Sequence, residues 1–96
     1  MYARVTTGQY QSGKFEEQFQ IYRDSILPEA RRQPGFKGAI GLVDKSTGKV
    51  ISITFWQTEA HASEASSSYG PAQLAKVASL LVAAPSSETY EVVVQE

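Results

Sequence analysis

The chain contains no cysteine and no asparagine, and it has one histidine, one tryptophan and one methionine. Without cysteine, disulfides, thiolate metal sites and cysteine nucleophiles are excluded. A single histidine, His61, cannot build a multi-histidine metal centre, so no metal is expected. No run approaches the ~18 apolar residues of a membrane-spanning helix. The segment Tyr2-Ala3-Arg4-Val5-Thr6 lacks the long apolar core of a signal peptide. Neither sign of charge dominates: 9 basic and 10 acidic residues give a net charge of -1. They are spread along the chain, without the basic patch that nucleic acid or an anionic membrane requires. The expectation is a cytoplasmic protein with no nucleic-acid and no membrane partner. Ninety-six residues make one domain, 1–96, and a domain this short buries only about 60–70% of its unfolded surface.

What is present is a clear alternation of strands and helices. Tyr2 to Thr7 is rich in β-formers and reads as a first strand. Ser12 is placed to cap the helix that follows. In that helix Phe15, Phe19, Tyr22 and Ile26 recur at the spacing of one helical face. Pro28 predicts a kink or a restart. Arg31 and Arg32 suit a helix C-terminus, and also a role attracting an anion. Pro34-Gly35 stops the helix, because proline lacks the amide donor and glycine takes backbone angles other residues avoid.

Phe36 to Val43 reads as the second strand, with Phe36, Ile40 and Leu42 on one face. Asp44-Lys45-Ser46-Thr47-Gly48 is a polar turn into the third strand, Lys49 to Gln57. Ile51, Ile53 and Phe55 make one apolar face of it, and Val50, Ser52, Thr54 and Trp56 a mixed one. Thr58 reads as an N-cap followed by Glu59 in the first turn. A short helix of small residues, Ala60 to Ser68, is expected to break at Tyr69-Gly70-Pro71. A second segment then presents Leu74, Val77, Ala78 and Leu81. Thr89 to Gln95 reads as the last strand, with Val92-Val93-Val94 in a buried position.

The order β-α-β-β-α-β predicts the ferredoxin-like split βαβ arrangement of the α+β class, an antiparallel sheet with both helices on one face. The second and third strands are apolar on both faces, and two helices can cover only one. A second copy of the chain is the economical cover, so a homodimer is expected.

With Arg32-Gln33-Pro34-Gly35-Phe36 before the second strand and Trp56-Gln57-Thr58-Glu59 after the third, the chain resembles the antibiotic biosynthesis monooxygenase-like family, from Tyr2 to Glu96. The resemblance implies a dimeric α+β barrel. It implies a cofactor-independent monooxygenase acting on a small aromatic, quinol-type compound. It equally admits a non-enzymatic dimeric ligand-binding or stress-related module of the same fold. Haem-degrading members use an asparagine, a tryptophan and a histidine together, and the better-studied quinol oxygenases use an asparagine in the pocket. This chain has no asparagine, and His61 follows Trp56 more closely than in the haem-degrading members. No cofactor is therefore expected.

Six residues are candidates for the site. Trp56 offers a flat wall for an aromatic ligand, or plain core packing. His61, the only histidine, is the one candidate general base, or an exposed surface residue. Tyr22 brings a hydroxyl from the aromatic stripe, and Tyr69 adjoins the expected helix break. Ser52 and Thr54 share the strand face of Trp56, and either line a cavity or bond across a dimer barrel. Few ionisable groups are expected at pocket-facing positions, which favours the non-enzymatic reading.

Overall fold

The computed structural model describes residues 1–96. Strand β1 runs Tyr2–Gln9, β2 Phe36–Asp44, β3 Lys49–Trp56 and β4 Ser86–Glu91. Helix α1 spans residues 15–31 and helix α2 residues 59–75. The four strands form one antiparallel sheet in the order β2-β3-β1-β4. This is the ferredoxin-like split βαβ topology. No helix is long and apolar enough to cross a membrane.

Strand pairing sorts the side chains into two faces. Tyr2, Arg4, Thr6 and Gly8 of β1 sit opposite Trp56, Thr54, Ser52 and Val50 of β3. That face carries the helices, since Trp56 packs on Ala62 and Ala65 of α2. The other face carries Val5, Ile51, Ile53 and Phe55, with Ile40 and Leu42 from β2. No helix covers it, and Ile40 and Leu42 stay 46% and 47% exposed.

A bulge at Lys37 revises the expected faces of β2. Phe36 pairs with Trp56 while Gly38 pairs with Phe55. The extra residue turns Phe36 away from the face of Ile40 and Leu42 and onto the helix side. There its ring meets Trp56 edge-on, centroids 5.7 Å apart.

Each helix contains one wide turn. In α1 the segment Tyr22–Ile26 is π-wound between α-helical Phe15–Ile21 and Leu27–Arg31. In α2 Ala65–Tyr69 is π-wound between Glu59–Glu64 and Gly70–Ala75. Each ends two residues before a proline, Pro28 or Pro71. A proline inside a helix cannot donate to the carbonyl four residues back and its ring crowds it, and the wider turn relieves both. The expected break at Tyr69-Gly70-Pro71 is therefore a change of winding, not a gap. The extra residue per turn also splits the aromatic stripe of α1. Phe15 and Phe19 stack on each other at 5.9 Å, under the cations of Lys45 and Arg23. Phe19 is 41% exposed, while Gln18, Tyr22 and Ile26 turn inward.

Three other expectations are corrected. Ser12 caps nothing: Gly13 takes a φ of 79° in a turn, and α1 begins after Lys14 with no side-chain cap. Helix α2 stops at Ala75, and a 3-10 turn, Ala78–Leu80, buries Leu80 beside Val77 and Tyr10 in place of Ala78. Strand β4 lies earlier than expected, because Ser87 and Thr89 pair with Thr6 and Arg4. Strand β1 is exhausted at its first residues, where the Val92 N–H donates to the Met1 carbonyl at 2.9 Å. Val93 and Val94 then run beyond any partner, 85% and 78% exposed. The Thr58 cap forms as expected, its Oγ1 accepting from the His61 N–H at 3.1 Å.

Candidate functional site

Between the helix-side face of the sheet and the two helices lies a cavity of about 250 Å³. That is at the small end for ligand pockets, about 300–1,000 Å³, and suits a ligand of one or two rings. Arg4, Thr6, Val50, Ser52 and Thr54 form its floor. Gln18, Tyr22 and Ile26 of α1 and Ser66, Tyr69 and Leu74 of α2 form its roof. The two π turns sit over this space, and each contributes a tyrosine, Tyr22 from the start of one and Tyr69 from the end of the other. π-Wound turns recur at functional sites because they re-aim side chains without ending the helix.

The structure brings together four of the six candidates. Tyr22, Tyr69, Ser52 and Thr54 line the cavity. Ser52 and Thr54 thus face the interior of one chain, on the side away from the uncovered sheet face. The Tyr22 hydroxyl is buried and has no hydrogen-bond partner. A buried hydroxyl left unbonded costs free energy.

Trp56 and His61 stand apart, at the end of the sheet. Trp56 is 1% exposed and is packed among Ala62, Ala65, Tyr2, Phe36 and Tyr69. Its only donor, Nε1–H, is occupied by Thr54 Oγ1 at 2.9 Å. No face of the indole is left for a ligand, so its expected role as a stacking wall is replaced by core packing. His61 borders only a cleft of about 30 Å³, with Gln33, Pro34 and Trp56, about the share of one water in liquid. Its Nδ1 lies 3.0 Å from Thr58 Oγ1. Its ring sits against Gly35, where any Cβ would overlap it and where φ is 79°. The Pro34-Gly35 signal thus has a structural cause: glycine admits the close approach of His61, and the Gly35 carbonyl accepts from the Gln57 N–H at 2.8 Å. The geometry gives His61 no access to the cavity.

Arg4 is the site residue that the sequence reading passed over. It projects from β1 into the cavity, and its Nε–H donates to Ser66 Oγ at 2.6 Å. Nη2 reaches Ser87 Oγ at 3.4 Å. No carboxylate oxygen lies within 4.0 Å of it; the ion pairs of the chain are Lys14–Glu17, Arg23–Asp24 and Arg32–Glu29. Burial lowers its pKa from the ordinary value, with Tyr69 beside it acting in the opposite direction. Gly70 lies beside it, but what requires glycine there is the Ala65 carbonyl oxygen, 2.8 Å from where a Cβ would stand, rather than Arg4 Nη2 at 3.3 Å. The available signal was the single charged residue in β1.

Desolvation, with a further push from Tyr22, raises the Tyr69 phenol to about 12. Burial also raises Tyr10, against a hydrogen bond from Gln18. At neutral pH both are hydroxyl donors, not bases. No aspartate, glutamate or histidine lines the cavity. Four ionisable groups do line it, Arg4, Tyr10, Tyr22 and Tyr69, more than expected from the sequence. No group of three or more acidic or histidine side chains is placed to hold a metal ion.

The four-stranded split βαβ arrangement matches the fold of the antibiotic biosynthesis monooxygenase-like proteins. No protein-family model and no curated protein sequence matches the chain. Solved structures do match it in fold. SnoaB, a cofactor-independent oxygenase of Streptomyces nogalater, superposes with a TM-score of 0.76 at 14% identity, covering 98% of this chain and 94% of that one. A monooxygenase of Streptomyces coelicolor in complex with nanaomycin D gives 0.76 at 14%, covering 99% and 92%. A Nitrosomonas europaea protein of unknown function gives 0.76 at 20%, covering 99% and 91%.

Proposed function

We propose that the chain is a cofactor-independent monooxygenase acting on a small aromatic, quinol-type compound held in the chamber between sheet and helices. The observation that supports this reading most is the Tyr22 hydroxyl, buried without a partner in the roof of that chamber, on a fold shared with oxygenases that need no cofactor. In such chemistry the ionised substrate passes an electron to O₂ itself. A substrate CH₂ becomes C=O, and the second oxygen leaves as water. The protein need only exclude bulk water and aim donors at the developing oxyanion. Tyr22 and Tyr69 are the hydroxyl donors for that task.

The absence of any carboxylate or histidine from the cavity lining favours a second reading, a ligand-binding module without turnover. A screen of quinols and anthrones under O₂, with a haem titration alongside, separates the two. Oxygen uptake with at least one substrate supports the enzyme. Saturable binding without uptake supports the module.

We also propose a homodimer built on the uncovered sheet face. Its central residues, Val5, Ile51, Ile53 and Phe55, are uncharged and continuous with half-exposed Ile40 and Leu42. A second copy would bury this surface at about 25 cal/mol per Å², less the association cost, and would take up the unpaired Val93 and Val94. A stable monomer in sedimentation at micromolar concentration would count against it.

A further inference from the structure

We infer that the chamber is a receptor for a flat aromatic monoanion whose oxyanion docks on the Arg4 guanidinium between Ser66, Ser87 and Tyr69. The inference rests on the reading of the chamber as the ligand site and specifies the charge of the ligand.

Arg4 is half-buried, and a cation partly withdrawn from water gains from a compensating acceptor, most often a carboxylate. Arg4 has two serine hydroxyls and no carboxylate. A guanidinium carries five N–H donors in a planar fork, and most of those of Arg4 have no protein acceptor. No carboxylate lines the cavity, and Tyr69 beside Arg4 stays protonated far above neutral pH. The remaining walls, with Ile26, Val50, Leu74 and Val77, are apolar. A ligand with one negative oxygen group and a flat apolar body matches both halves of the chamber.

A purely structural Arg4 would serve as a tether from β1 to α2 through Ser66. A neutral donor could do that without a charge in the chamber. In an oxygenase the same cation would favour the ionised form of a bound phenol or anthrone. That supplies by electrostatics what no base in the chamber supplies.

Isothermal titration of the full chain with 2-naphthoate and with 2-naphthamide tests this, since the two share a shape and differ in charge. Naphthoate should bind about tenfold tighter or more, the yield expected of one charge-assisted contact. The preference should vanish in Arg4→Gln and survive in Arg4→Lys. Equal affinities, binding of neither at millimolar concentration, or a preference unchanged in Arg4→Gln overturns the inference. Should Arg4→Gln fail to fold, the ¹⁵N signal of the Arg4 Nε–H in the wild-type chain reads the same contact. It should move with naphthoate and hold still with naphthamide, and no movement with either is contradictory. Anion preference without oxygen uptake defeats the oxygenase reading alone. Oxygen uptake without anion preference defeats this inference alone.

Discussion

Removing one oxygen atom from Tyr22 should make the ligand-free protein more stable and its site less competent. The Tyr22 hydroxyl is the one buried side-chain polar atom with no hydrogen-bond partner. Leaving such a group unsatisfied costs about 1–3 kcal/mol. The adjoining cavity of about 250 Å³ is roomy enough for water, which offsets part of that cost. Tyr22→Phe keeps the ring and its packing, so a gain of about 1 kcal/mol is expected. For a domain of this size that raises the melting temperature by about 4–8 °C. Thermal unfolding followed by circular dichroism, without ligand, measures it, and titration with 2-naphthoate on the same samples should show weaker binding. A melting temperature lowered by several degrees would refute the reasoning, because it would mean the hydroxyl has a partner within the folded chain.

Trp56→Ala should cost about 3–5 kcal/mol, as a large buried aromatic does, and unfold much of the population; a folded variant that had lost only ligand binding would contradict its core role. Thr58→Ala should cost about 1 kcal/mol by removing the α2 cap, read as a lower denaturation midpoint, and an unchanged midpoint would count against the cap. Tyr69 has a folded pKa raised from 10.0 to about 12, so its contribution is complete below pH ~10 and is lost as pH rises toward about 12. At full weight this is ~2.7 kcal/mol, reduced to about 1 kcal/mol because the ring is partly solvated. Chemical denaturation at pH 8, 10 and 11.5 should therefore show a late alkaline decline that Tyr69→Phe diminishes, and a decline complete by pH 9 would belong to other groups.

Local chemistry made much of the fold legible. The polar turn at residues 44–48 closes through Asp44, whose Oδ1 accepts from the Ser46 N–H at 3.0 Å. Thr58 marks its boundary through a neighbour three residues on, whereas Gly35, readable as a stop signal, is required by the distant His61 ring. What escaped depends on pairing across the sheet or on helix winding. The Lys37 bulge that turns Phe36 inward is visible only in register with β3. The inward aim of Arg4 follows from its pairing with Thr54 and Thr89, far away in sequence. Val92-Val93-Val94 has the composition of a buried strand, but β1 offers it no length to pair with. Of the site, the tyrosines and strand hydroxyls were readable from alternation and helical spacing. The separation of Trp56 and His61 from the cavity was not, because packing against Ala62 and Gly35 decides it.

The central claim is that the functional site is the chamber under the two π turns, and a crystal structure grown with 2-naphthoate tests it most directly. The account predicts the carboxylate on the Arg4 guanidinium and the rings beneath Tyr22 and Tyr69. A chamber left without ligand while naphthoate occupies the Trp56–His61 end, or the outer sheet face, would contradict it.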